Sequence, residues 1–250
     1  MGKNVSVNLG KADGILSENE QVKGEEFEPT ERIKVYILEV KDTPKGPRIL
    51  LSRTHPGLVK RLFESEVAEV KDGTVEIKSI AREAGSRTKI AVWSNDPDVD
   101  PVGACVGMNG ARVNSIVEEL RGEKIDIISW NENPALLIEN ALSPAKVITV
   151  LADPDEKTAL VIVPDYQLSL AIGKEGQNAR LAARLTGYKI DIKSESQAAE
   201  EAAKVSEEPE TDEFEIEEDL FNEEINDDFV EDAENTEEAV EDFDAEDIEE

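Results

Sequence analysis

The sequence contains few of the side chains on which most catalytic and metal sites depend. Its 250 residues include one cysteine, one histidine and only 4% aromatic residues. A lone cysteine excludes an internal disulfide, and Cys105 lies in an apolar helical run where we expect a small buried residue. Any histidine-based triad or metal site would have to rest on His55 alone. We therefore expect no enzyme, no catalytic residue, no cofactor and no bound metal.

Long hydrophobic runs are also missing. No stretch approaches the roughly 18 consecutive apolar residues of a membrane span, and the chain does not open with a signal-peptide pattern. The sequence therefore predicts a cytoplasmic protein that makes no membrane contact.

The negative charge is concentrated at one end of the chain. The net charge is −31, and the segment from Ser196 to Glu250 carries 27 of the 58 acidic residues but one of the 27 basic ones. This low-complexity segment predicts an acidic, disordered tail, with a short helix at 198–204. Such a tail would repel RNA, and it either keeps the chain in solution or docks on a partner.

Two glycine loops are the most informative feature of the sequence. Gly107–Gly110 and Gly173–Gly176 lie 66 residues apart, and the closing segments Lys124–Ile127 and Lys189–Ile192 lie 65 apart. Each loop follows an apolar helical run and precedes a second helix. A repeat at a nearly fixed period indicates a duplicated structural unit.

The order helix, G-x-x-G, helix, strand resembles the KH RNA-binding module, in which the loop clamps four backbone nucleotides. A single G-x-x-G also occurs at ordinary helix-turn-helix corners, but its repetition with the same flanks favours the module. A dinucleotide-binding loop should follow a strand directly. Here the turn-rich segment 96–101 precedes the first loop, which argues against that alternative.

The periodicity of the whole chain predicts an α+β protein of four parts. Short strands with Gly- and Pro-rich turns in residues 4–53 predict a small OB-fold barrel, including a strand from Arg32 to Val40. About fifty residues are few for five strands, so we expect a truncated barrel with an unpaired edge. Two α-β-β-α-α-β modules of the bacterial KH type follow, packed tightly because only Asn133-Pro134 connects them. The expected boundaries are 1–54 for the barrel, 55–131 and 132–195 for the modules, and 196–250 for the tail.

The residues predicted to contact RNA are those of the loops and the polar residues that follow them. Backbone N–H groups and cations in these positions would bind phosphates without reading the base sequence. Each arginine could equally lie on a solvated helix face. Isoleucines 125, 127, 190 and 192 of the closing strands would either read bases or belong to the core. The predicted RNA-binding set is Gly107, Met108, Asn109, Gly110, Arg112, Gly173, Lys174, Glu175, Gly176, Asn178, Arg180 and Arg184.

Two strings of the sequence are highly specific, DPVGACVG at 100–107 and AIGKEGQNARLAA at 171–183. With them, most of residues 8–195 resembles the RNA-binding portion of the NusA family of bacterial transcription termination/antitermination factors. The resemblance implies a non-catalytic protein that binds nascent single-stranded RNA, modulates pausing, termination and antitermination, and contacts RNA polymerase and other Nus factors.

The chain also departs from this family. The family's N-terminal polymerase-binding domain has no counterpart, so we expect a chain that begins within the barrel. The first loop carries Asn109 where the family usually has a basic residue. We expect a monomer. The alternative function is an RNA-guiding module of an RNA-processing or assembly complex.

Overall fold

The computed structural model describes residues 4–44 and 46–207, without the side chains of 202 and 205–207. The first part is a four-stranded sheet with strand order β1-β2-β4-β3, in which β2 and β4 are parallel and the other pairs antiparallel. Its strands are β1 Val5–Asn8, β2 Asp13–Leu16, β3 Tyr36–Thr43 and β4 Gly46–Ser52.

This sheet differs from the sequence prediction in two places. The strand expected from Arg32 begins at Tyr36, and β2 was not predicted because it starts with the turn residues Asp13-Gly14. A Cβ on Gly14 would lie 2.5 Å from Leu51 Cδ1, so glycine permits the close approach of β2 to β4. Within the described residues the sheet is open, with β1 and β3 at its edges. The OB-fold stays a prediction.

The next part has the predicted α-β-β-α-α-β order. Its strands form a sheet of order β5-β6-β7. The first helix of this order is divided into two, because Val67 is extended at φ −116° and ψ 109°. The elements are α1 Pro56–Glu66, α2 Ala68–Lys71, β5 Val75–Glu83, β6 Arg87–Ser94, α3 Pro101–Val106, α4 Ala111–Glu119 and β7 Lys124–Ser129.

The third part repeats this order, with a sheet of order β10-β9-β8. Its first strand begins at Thr149. The predicted tail begins within a helix. The short helix expected at 198–204 is part of a longer one, Glu195–Glu207. The tail beyond residue 207 lies outside the described residues. The elements are α5 Pro134–Ala141, β8 Thr149–Asp153, β9 Thr158–Val163, α6 Leu168–Ile172, α7 Gln177–Thr186, β10 Lys189–Ser194 and α8 Glu195–Glu207.

The two repeated modules share a hydrophobic core. Ala81, Ala91 and Ile128 of the first sheet are buried in the same cluster as Leu181 and Leu185 of α7. Small alanines on this face of the sheet let the second module approach closely. The tight packing predicted from the short connection is therefore confirmed.

A buried lysine adds a polar contact to this interface. Lys89 is fully buried on β6, and its Nζ donates a 2.8 Å hydrogen bond to the carbonyl of Ser143 in the second module. The same Nζ lies 3.1 Å from Asp126 on β7. Burial lowers the pKa of Lys89, against the opposite effect of Asp126. Burial would raise the pKa of Asp126, but the hydrogen bond from Arg87 and the charge of Lys89 lower it.

The N-terminal sheet is held to the first module by Arg53, whose side chain is 1% exposed. Arg53 Nε donates to Glu25 at 3.0 Å, and Nη1 donates to Glu119 Oε1 at 3.1 Å. Glu119 is the last residue of α4, so the helix after the first loop is anchored to the preceding sheet. No helix among the described residues is long and apolar enough to cross a membrane.

Candidate nucleic-acid interface

The two glycine loops have the same backbone conformation. The first glycine has φ 73° and ψ 174° at Gly107 and φ 77° and ψ 172° at Gly173. The last has φ 76° and ψ 13° at Gly110 and φ 73° and ψ 16° at Gly176. The first pair of angles is nearly exclusive to glycine, which explains why this residue opens both loops. The agreement confirms the duplication inferred from the sequence.

The two middle residues of each loop present main-chain donors to solvent. Asn109 and Glu175 are left-handed, with φ 52° and 54°, and Met108 is 85% exposed. No residue in the described part of the chain accepts a hydrogen bond from the N–H groups of Met108 and Asn109, or of Lys174 and Glu175. Unpaired amides in a turn of this kind form a concave site for an anion such as a phosphate.

Arg112 supports the first loop from behind. A Cβ on Gly107 would lie 2.8 Å from Arg112 Cγ, so the glycine packs directly on this side chain. Arg112 Nη1 donates to the carbonyl of Ala104 at 2.7 Å and pairs with Glu69 at 3.0 Å. The carbonyl belongs to the helix before the loop and the arginine to the helix after it. Arg112 therefore braces the corner between the two helices, and its charge is partly neutralised.

Asn178 occupies the corresponding position behind the second loop. A Cβ on Gly173 would lie 2.8 Å from Asn178 Cβ. The Asn178 amide is 7% exposed and donates to the carbonyls of Ala171 and Leu142, both at 3.0 Å. Like Arg112, it ties the helix before the loop to the helix after it. The structure thus places both residues behind the loops.

Arg180 and Arg184 on α7 are both paired with Glu83 of the first module. The distances from Glu83 Oε1 are 2.5 Å to Arg180 Nε and 3.7 Å to Arg184 Nη1. The hydrogen bond from Arg180 is the main reason why the pKa of Glu83 is lowered. The sequence offers no signal for this contact, since Glu83 and Arg180 lie 97 residues apart.

Lys174 lies within the second loop itself. It is exposed, and it forms no ion pair with any residue that the structure describes. The first loop has the uncharged Met108 and Asn109 in its middle. The two loops therefore share their geometry, and the second places a cation between its glycines, although Glu175 beside it carries the opposite charge.

The isoleucines of the closing strands face the cores. All four are half-buried at the edge strands β7 and β10. They pack against the hydrophobic clusters of their own modules, which favours the core interpretation for Ile125, Ile127, Ile190 and Ile192. Among residues 4–44 and 46–207, no three His, Cys, Asp or Glu side chains come together to hold a metal ion.

Comparison with known protein families assigns both modules. Residues 53–130 match the family profile described as the NusA-like first KH domain, and residues 134–200 match that of the NusA-like second KH domain. Together the two matches cover more than half of the chain.

Curated relatives carry the same family name. The transcription termination/antitermination protein NusA of Bacillus subtilis is 63% identical over 198 residues, which cover 79% of this chain and 53% of that protein. Its namesake from Mycobacterium tuberculosis is 53% identical, with coverages of 74% and 54%, and that from Thermus thermophilus is 46% identical, with coverages of 85% and 57%. The chain spans about half the length of these relatives. With its two adjacent KH domains matched in order, the chain belongs to the NusA family.

Proposed function

We propose that the chain is a non-catalytic RNA-binding transcription factor. It binds nascent single-stranded RNA and modulates pausing, termination and antitermination by RNA polymerase. The observation that carries this proposal is the pair of G-x-x-G loops with the same backbone angles and unpaired amides. The name of the relatives, transcription termination/antitermination protein, supplies the biological setting.

In this mechanism each loop binds the RNA backbone through its main-chain N–H groups. A phosphate oxygen accepts hydrogen bonds from the two middle amides, and the absence of a Cβ at the flanking glycines lets the backbone come close. Lys174 adds a positive charge at the second loop. The bases are left to contact the half-buried surface between the loop helices and the closing strand.

The shared core makes the two loops a single rigid binding unit. When one strand of RNA reaches both loops, the second contact becomes intramolecular, and the overall affinity exceeds that of either loop alone. The N-terminal sheet, which we propose to be an OB-fold, is anchored to α4 by Arg53 and would extend the same surface. We further propose that the chain acts as a monomer in the cytoplasm, together with RNA polymerase and other Nus factors.

A titration of labelled single-stranded RNA, followed by fluorescence anisotropy, tests the proposal with the whole chain. K174Q should weaken binding about three- to tenfold and reduce the slope of log K against log salt by about 0.7, because one phosphate contact is lost. K60Q removes the same charge from α1 and is the matched control, which should bind as the unsubstituted chain does. Equal behaviour of the two variants would remove Lys174 from the interface, and no binding by the unsubstituted chain would refute the function.

A further inference from the structure

Glu83 of the first module contacts the helix that follows the second loop. It ends β5, and its carboxylate faces the first two turns of α7, the helix that follows the loop. Gln177 Nε2 donates to Glu83 Oε2 at 2.9 Å and to Ser86 Oγ at 2.8 Å. With the two arginine contacts described above, Glu83 therefore interacts with three side chains of α7.

Arg180 continues this connection into the loop itself. While its Nε pairs with Glu83, its Nη1 donates to the main-chain carbonyl of Glu175 at 3.2 Å. Glu175 and Gly176 are the two adjacent left-handed residues that give the loop its shape. A continuous polar path thus runs from the sheet of the first module to the backbone of the second loop.

We propose that Glu83 is a positioning residue for RNA binding, which fixes the second loop relative to the first module through Gln177 and Arg180. The inference rests on the proposed function, and it changes the role expected of Arg180. This arginine acts as a link between Glu83 and the loop backbone, and Lys174 carries the charge that meets the phosphate.

The two copies differ in a way that supports this role. Asn114 occupies in the first copy the position that Arg180 has in the second, and it makes no ion pair or side-chain hydrogen bond within the described residues. The first copy's helix α4 is instead anchored at its far end, where Glu119 meets Arg53. Only the second loop, among those the structure describes, is held by a side chain of the preceding module.

The Glu83 contacts are well suited to orient the loop without being required for folding. The Glu83 side chain is 20% exposed and that of Arg180 is 43% exposed, so each contact adds little to the stability of the fold. Leu181 and Leu185 of α7 are buried in the shared core, so we expect this helix to stay packed when Glu83 is replaced. A substitution of Glu83 therefore weakens the hold of Arg180 on the loop carbonyl of Glu175, while α7 and the module remain folded.

A second role for Glu83 predicts effects of the opposite sign. If RNA phosphates displaced Glu83 from Arg180, the carboxylate would be a competitor of RNA, and its neutralisation would strengthen binding. If Glu83 positions the loop, its neutralisation weakens binding. The sign of the change separates the two.

The experiment uses four variants of the whole chain, E83Q, R180Q, the double variant E83Q/R180Q and the exchanged pair E83R/R180E. Two labelled single-stranded RNAs are titrated, one of about four nucleotides for a single loop and one long enough for both loops. E83Q and R180Q should each weaken the binding of the long RNA about three- to tenfold and the binding of the short RNA less than about twofold. The double variant should be no worse than either single one, and the exchanged pair should bind within about threefold of the unsubstituted chain.

Three outcomes of these titrations would overturn the inference. The first is tighter RNA binding by E83Q, and the second is a loss of affinity in the double variant that equals the sum of the two single losses. The third is a smaller slope of log K against log salt for R180Q, with no recovery of affinity in the exchanged pair, which would make Arg180 a phosphate ligand. Amide hydrogen exchange without RNA gives a separate readout, in which E83Q should speed exchange at Gly176, whose N–H donates to the carbonyl of Gly173. Unchanged exchange would refute the role of Glu83, whereas failure of the unsubstituted chain to bind RNA would refute the proposed function instead.

Discussion

Replacing Gly176 by alanine measures how closely RNA approaches the second loop, and Gly187 provides a matched control. The two glycines stand at the two ends of α7 and have almost the same conformation, φ 73° and ψ 16° against φ 76° and ψ 15°. A Cβ at either position would meet no atom within 4 Å. The two substitutions therefore differ only in whether the new methyl group lies in the proposed RNA site.

The expected cost to folding is the same for both variants. An alanine in the left-handed region costs about 1 kcal/mol, and for a domain of this size that lowers the melting temperature by roughly 3 °C. Neither methyl group meets a clash that would add to this cost. Thermal unfolding followed by circular dichroism should thus give equal shifts for G176A and G187A.

The expected effect on RNA binding is different. In G176A the methyl group stands where the RNA backbone passes, and the loss of one charge-assisted hydrogen bond, worth about 1.5–3 kcal/mol, weakens binding about ten- to hundredfold. G187A should keep the affinity within about twofold. Equal affinities of the two variants would show that RNA does not approach the second loop, and the reasoning from loop geometry would be refuted.

Three further predictions concern groups that the structure buries. R53M should lower the free energy of urea unfolding by about 3 kcal/mol, because it leaves the buried carboxylate of Glu25 without its partner, and R53M/E25Q should lose less. Burial raises the pKa of the Glu123 carboxyl, but the Arg82 guanidinium and further hydrogen bonds lower this pKa overall. The Glu123 carboxylate therefore stabilises the fold above about pH 4.3, and this stabilisation is lost as the pH falls through the lowered pKa. The melting temperature should therefore drop more steeply below about pH 4 in the unsubstituted chain than in E123Q. Burial raises the pKa of the Cys105 thiol to about 12, so iodoacetamide at about pH 8 should alkylate it only after unfolding, and rapid reaction of the native chain would contradict its burial.

Much of the fold could be predicted because the controlling signals are local. Two glycines at positions that require positive φ predict each loop, and apolar residues at helical spacing predict each flanking helix. Repetition then strengthened a motif that is weak when it occurs once. Pro56 and Pro134 likewise begin helices in the structure, at positions where a missing N–H costs nothing.

The parts that were missed depend on contacts between distant residues. Strand β2 is short and begins with Asp13-Gly14, a pair typical of turns, and its pairing depends on the contact between Gly14 and Leu51 of β4. The helix break at Val67 has no proline or glycine to mark it. Local sequence patterns cannot report such tertiary effects.

The roles of the charged residues were the least predictable part of the site. A pattern of basic residues shows that charge is present, but it does not show which carboxylate neutralises it. Arg112 and Arg180 follow the glycine loops closely, as phosphate ligands would. Glu69 and Glu83, which are distant in the sequence, nevertheless pair with them. Lys174 and the middle amides of the loops have no such partner among the residues that the structure describes.

The dependence of affinity on RNA length tests most directly whether the two loops bind one strand together. A single-stranded RNA that reaches both loops should bind the unsubstituted chain at least about tenfold more tightly than one of about four nucleotides. A negative charge placed in either loop, as in G110D or G176D, should lower the affinity for the long RNA to that for the short RNA. Equal affinities for the two lengths, or a long RNA that is insensitive to both substitutions, would contradict the account.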